Sequence, residues 1–133
     1  MHKPPMADPP PEGSRARELW LNHAAGYVLF RDVRDYARDK IPPELTELEK
    51  AIAYKAIDDA VYGVMMHLDG VPERLENDDY CFDIKSYLTL AKRENGELVE
   101  VEREDFFEGF CMGYFYWLDG DFGEHPITSN GEK

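Results

Sequence analysis

The sequence predicts an α+β fold: about three helices packed with one antiparallel β-hairpin at residues 80–102. Three observations carry this. Two long segments repeat apolar residues at helical spacing and stop at proline or glycine. An alternating stretch, YCFDIKSYLTLAKR, runs into Asn95-Gly96, the strongest short hairpin signal. A late aromatic run, EDFFEGFCMGYFYWL, places Phe106, Phe110, Tyr114 and Trp117 three or four residues apart.

The chain has 133 residues, which suits one domain with a sizeable core. Residues 1–13 hold five prolines and little apolar surface, and are expected to be a disordered or extended tail. The domain is expected over 14–127, with a loose end at 128–133. Ser14 is the expected N-cap of a first helix over about 14–40. Its front half is apolar, with Trp20, Ala24 and Tyr27 on one face. Its back half alternates an arginine stripe, Arg31, Arg34 and Arg38, with an aspartate stripe, Asp32, Asp35 and Asp39. The stripes predict ion pairs such as Arg31–Asp35 and Asp35–Arg38. Alternatively the arginines receive an external carboxylate or phosphate.

The IPPEL segment ends that helix. A second helix is expected over about 43–69, starting at Pro43 or, if Thr46 and Glu49 form a capping box, slightly later. Leu45, Leu48, Ile52, Ile57, Val61, Val64 and Leu68 trace its expected buried face. Gly70 is the expected C-cap glycine. PERLENDD reads as a loop. In the hairpin a two-residue Asn95-Gly96 turn would set Leu90 opposite Val101, with Tyr80, Phe82, Ile84, Leu88 and Leu90 along the inner face.

The aromatic run reads as a third helix over 104–118, with Glu104 and Asp105 at its positive end. Gly109 and Gly113 share one face of it, and each glycine costs a helix about 1 kcal/mol relative to alanine. A close helix crossing would explain them, with Gly63 as the expected opposing residue. GVMMHLDG at 63–70 and GYFYWLDG at 113–120 echo one another, both ending in Leu-Asp-Gly.

The formal charge is -13. Residues 1–40 carry seven Lys/Arg and six Asp/Glu; residues 41–133 carry eight and 22. That asymmetry disfavours nucleic acid and anionic membrane and favours a basic protein partner. The longest apolar run, FCMGYFYWL, falls far short of the roughly 20 residues that span a bilayer. The N-terminal stretch has no apolar core of a signal peptide. Cys81 and Cys111 lie among apolar residues and are expected to be buried free thiols in a reducing cytoplasm.

No specific catalytic signature occurs: there is no HExxH, GxSxG, phosphate-cradling glycine loop or Cys-His motif. His23 and His67 read as satisfied histidines on apolar faces, and Asp58-Asp59 lies mid-helix with at least one carboxylate expected inward, where a desolvated pair could do acid–base work. The leading expectation is therefore a small, acidic, non-enzymatic protein-binding domain, of an inhibitor or immunity type. It would dock on a basic partner through Glu97, Glu100, Glu102, Glu104, Asp105 and Glu108. Two alternatives stand beside it. One is a metal-assisted or acid–base enzyme in which Asp119, Asp121, Glu124 and His125 hold a divalent cation, although their spacing breaks the EF-hand pattern. The other is a homo-oligomeric structural subunit, in the simplest case a homodimer. Apart from that cation, no cofactor is expected.

Overall fold

The computed structural model describes residues 5–103, 109–123 and 126. The fold is α+β. A long first helical rod and a second helix pack with a short aromatic helix, and two separate two-stranded antiparallel sheets complete the described elements.

The first rod has three consecutive parts: α1 (Arg15–Leu29), a π-helical segment (Phe30–Arg34) and α2 (Asp35–Asp39). Ser14 caps it, its Oγ accepting the Arg17 N–H at 3.1 Å. Trp20 and Tyr27 are buried as the helical spacing requires, Ala24 on the same face is half-buried, and Phe30 is buried as well. The π segment has no sequence signal, since FRDVR contains neither proline nor glycine.

The second helix, α3 (Glu47–Leu68), starts at the capping box rather than at Pro43. Thr46 Oγ1 accepts from Glu49 N–H at 3.2 Å, and the Glu49 carboxylate accepts from Thr46 N–H at 2.9 Å. These reciprocal bonds satisfy two donors of the first turn, and that fixes the start. The expected buried face of α3 needs correction. Val61 and Met65 are buried, but Leu48, Ile52 and Val64 are exposed. Among the described residues nothing covers the outer side of its N-terminal half, so apolar residues there do not imply burial.

The aromatic helix, α4 (Phe110–Leu118), begins after Gly109, whose φ is 93°. Phe106, Glu104 and Asp105 lie outside the described residues. Phe110, Tyr114 and Trp117 enter the main core with Phe30, Val61 and Met65. Phe30 stands edge-on to Tyr114, Trp117 and Phe122, with centroids 5.9, 6.2 and 6.5 Å away. Such edge-to-face pairs add to burial by about 0.5–1.5 kcal/mol each.

Both echoed segments close alike. After α3, Gly70 N–H donates to His67 C=O and Val71 N–H to Met66 C=O; after α4, Gly120 N–H donates to Trp117 C=O and Asp121 N–H to Tyr116 C=O. Each is a Schellman stop, with glycine at a φ of 77° or 80°.

The close helix crossing exists, with a different partner. A Cβ on either Gly113 or Gly26 would collide with the Trp117 indole, while nothing lies within 4 Å of one on Gly63. Trp117 therefore fills a slot between α1 and α4, and Gly26 takes the place expected of Gly63.

The hairpin is shorter than 80–102. It consists of β3 (Tyr87–Ala91) and β4 (Leu98–Arg103). Cys81–Phe82 forms β2, which pairs with β1 (Leu75–Glu76) inside the expected loop. The Asn95-Gly96 turn is real, yet the register is offset by one, with Leu90 opposite Glu100 and Thr89 opposite Val101. The cause is the loop. Lys92 N–H donates to Glu97 C=O and Gly96 N–H to Lys92 C=O, enclosing four residues instead of two, and a register shift follows at Leu90/Ala91. Leu90 still packs on Trp20 and Leu21 of α1. Tyr80, Phe82, Ile84 and Val101 face solvent, contrary to the expected inner face. Cys81 is likewise exposed and Cys111 is half-buried, whereas both are expected inside.

Residues 5–13 run alongside the domain. Ala7 N–H donates to Pro126 C=O at 2.9 Å, and buried Arg17 reaches Pro10 C=O with Nε at 2.9 Å.

Candidate docking surface

The acids named from sequence fall in different settings. Glu97 is exposed at the end of the hairpin loop, 3.3 Å from Lys92 Nζ. Glu100 points toward α1 and accepts from Arg17 Nη1 at 3.1 Å, with both side chains mostly shielded. Its carboxylate holds the hairpin to the helix. The Glu102 backbone pairs with Leu88. Glu104, Asp105 and Glu108 lie outside the described residues.

The suggested metal set is also divided. Asp119 is the exposed C-cap of α4. Asp121 Oδ1 accepts from Gly123 N–H at 2.9 Å, an ordinary Asx turn. Glu124 and His125 lie outside the described residues. Among the described residues no three His, Cys, Asp or Glu side chains gather as a metal site.

The arginine stripe does receive a carboxylate, but from its own chain. Arg34 Nε lies 2.7 Å and Arg38 Nη2 3.2 Å from the Asp58 carboxylate, while Arg31 pairs with Asp35 at 3.6 Å. Arg34 also stacks on Phe30 and Arg38 on Tyr54, at 4.8 and 4.4 Å from the ring centres. Tyr114 donates its hydroxyl to the Asp58 carbonyl at 3.0 Å. Burial, and then the nearby Asp58 charge, push this phenol above its ordinary pKa. His23 Nδ1 accepts from Trp117 Nε1 at 3.0 Å, so the partner of this apolar-face histidine is the core tryptophan. His67 is exposed.

Sequence reasoning missed the apolar surface of the β region. Leu75, Tyr80, Phe82 and Tyr87 are each more than 60% exposed. Of these, the sequence pattern puts Tyr80 and Phe82 on the expected inner face and Leu75 in the expected loop, so their exposure has no local signal. A groove of about 520 Å³ opens between the end of α3 and β1–β2, with Leu68, Pro72, Leu75, Phe82 and Ile84 in its walls. Glu73 and Asp83 stand at it beside Arg74 and Lys85. Arg74 lies 3.5 Å from Glu76 and 3.6 Å from Asp83, and neighbouring Cys81, which is anionic only in alkali, with Asp83 and Glu76, raises its pKa. Across 71–87 there are five acids against two bases. The arrangement offers apolar anchoring area within a negative field.

The chain matches no family model, no curated protein and no solved structure. No helix among the described residues is long and apolar enough to cross a membrane.

Proposed function

We propose that this is a non-enzymatic protein-binding domain that docks on a basic protein partner, in the manner of an inhibitor or immunity protein. One observation carries the reading: Leu75, Tyr80, Phe82 and Tyr87 stand exposed in a segment rich in acids. Leu75 and Phe82 lie opposite each other in the β1–β2 pair, and exposed apolar patches of this kind mark interaction sites. The surrounding carboxylates, with Glu97 at the hairpin loop, would steer a cationic partner, and the aromatic rings would supply affinity. Two cysteines, too few for a disulfide framework, fit a reducing, cytoplasmic setting for this role.

The test is capture on immobilised protein at low salt, elution in salt steps, and identification of what is released. The reading expects basic proteins eluting between about 0.1 and 0.5 M salt, where the Debye length falls from about 10 Å to about 4 Å. It also expects their loss from a Tyr80→Ser/Phe82→Ser double variant that melts like the parent. Capture unaffected by both salt and that variant would overturn it.

A further inference from the structure

Arg17, in the first turn of α1, is a buried cation that joins the N-terminal segment to the hairpin. Its Nε donates to the Pro10 carbonyl at 2.9 Å and its Nη1 to the Glu100 carboxylate on β4 at 3.1 Å. Residues 9–11 are all proline, so they present carbonyls and no N–H donors. The donors come from the start of α1: Arg17 serves Pro10, and Ser14 Oγ serves Pro11 at 2.6 Å. Farther along, Ala7 N–H ties the same strap to buried Pro126. On its other side, the hairpin meets α1 through Leu90 against Trp20 and Leu21, with Leu88 beside them. Trp20 Nε1 is buried without a hydrogen-bond partner among the described residues, which lessens what this cluster contributes. The Arg17–Glu100 pair therefore matters to how the hairpin is seated.

We propose that the strap at residues 5–13 is a latch for the hairpin: Pro10 orients Arg17 toward Glu100, so that seating of the strap and seating of the hairpin on α1 favour each other. The Arg17 side chain is 10% exposed and that of Glu100 27%, so the pair is mostly shielded from water. A shielded guanidinium that loses one acceptor is destabilised by the donor left over. When the strap lifts, water reaches Arg17 and screens its attraction for Glu100. When the hairpin swings off, Arg17 loses its counter-charge and turns to water, and Pro10 loses its donor. Two partners of one buried cation are thereby coupled, and such coupling is reciprocal. The hairpin carries Tyr87, Glu97 and Val101, so the strap also governs how rigidly those residues are presented. That last consequence rests on the docking function proposed above; the latch does not.

The test is native-state amide hydrogen exchange of the full chain, which needs no partner. It follows Ala7 on the strap, the protected amides of β3, and those of α4 as the reference. Glu100→Ala acts from the hairpin side and should speed exchange at Ala7 about fivefold or more. Pro9→Gly/Pro10→Gly/Pro11→Gly loosens the strap and should speed exchange in β3 by a similar factor. Exchange in α4 should stay as in the parent. Arg17→Met should produce both effects at once, and adding the three glycines to it should change β3 no further. Three results would overturn the proposal. One is a Glu100→Ala protein whose Ala7 exchanges as in the parent. Another is a glycine variant whose β3 exchanges as in the parent. The last is an α4 that speeds up as much as β3, which would mean a global loss of stability and no local latch. If the exchange effects appear but no basic protein is captured, the latch stands and the docking function falls.

Discussion

Asp69, the C-cap of α3, spans the N-terminus of α4: its Oδ1 accepts the Phe110 N–H at 2.8 Å and its Oδ2 the Cys111 N–H at 2.8 Å. One residue therefore closes one helix and opens the next. The first N–H groups of a helix have no partner of their own, and the dipole favours negative charge there. The first-turn acids of α4 are absent, and the carboxylate arrives from 41 residues earlier. Gly109 makes room for it, since a Cβ there would stand 3.1 Å from the Asp69 carboxylate.

Asp69→Ala should cost about 2 kcal/mol, because a cap and a charge–dipole contact go together. Asp69→Asn keeps one acceptor oxygen and should cost about half of that. Urea unfolding of both variants measures the difference. Equal stability of Asp69→Ala and parent would mean that water caps α4 equally well.

Much of the helical framework was legible because its signals are local. Ser14, the Thr46–Glu49 box and the two Leu-Asp-Gly stops each act within a few residues, and all four behave as read. The errors are in what packs on what. Leu48 and Phe82 carry ordinary core side chains, yet their exposure depends on elements far away in sequence. The Asp58 carboxylate could be placed mid-helix, but its pairing with Arg34 and Arg38 could not. The π segment and the 41-residue reach of Asp69 leave no local mark.

The glycines separate three outcomes. Gly26→Ala and Gly113→Ala both drive a methyl into the Trp117 indole, and overpacking of this kind costs about 1–3 kcal/mol. Gly63→Ala meets nothing and should stabilise α3 by about 0.5–1 kcal/mol through helix propensity. Thermal melts of the three proteins should fall on opposite sides of the parent. A destabilised Gly63→Ala would restore the crossing that Gly26 has replaced.

Asp58 holds two guanidinium groups, so its removal leaves two cations facing each other without a counter-charge. Asp58→Ala should cost about 2–3 kcal/mol, since Arg34 is largely buried. The neighbouring Asp59 pairs with Lys55 in open solvent, and Asp59→Ala should change stability by less than about 0.5 kcal/mol. Chemical denaturation of the pair checks the ratio. Similar costs would show that Asp58 is no more structural than its neighbour.

Tyr114 makes the fold sensitive to alkali. Its folded pKa is raised, so the unfolded chain loses the proton first as pH rises. The contribution is complete below the ordinary phenol value near 10 and is lost as pH climbs from there through the folded value. Tyr114→Phe removes the donor to the Asp58 carbonyl and should cost about 1 kcal/mol at pH 7. It should also flatten the decline of stability above pH 10, only in part because Tyr62 is raised as well. A variant whose alkaline decline matches the parent's would remove Tyr114 from that role.

The hairpin register decides which residues can meet a partner. With Leu90 opposite Glu100, Leu90 lies against Trp20 and Leu21, and Val101 faces solvent at 48% exposure. A two-residue turn would instead have set Leu90 beside Val101 on the inner face. The two geometries predict different phenotypes. In the observed register Leu90→Glu buries a charge against two core residues and should destabilise by more than about 3 kcal/mol. Val101→Glu places a carboxylate in water and should shift stability by less than about 0.5 kcal/mol. Cross-strand amide NOEs give the direct reading, with Thr89 close to Val101 rather than to Glu102. If Val101→Glu unfolds the protein, the register is wrong and the outer hairpin face is no docking surface. If Val101→Glu folds normally and also weakens capture of basic proteins, folding and docking separate on this sheet. Leu90 and Glu100 then hold the hairpin on α1, and the exposed face beside Tyr87 and Val101 meets the partner.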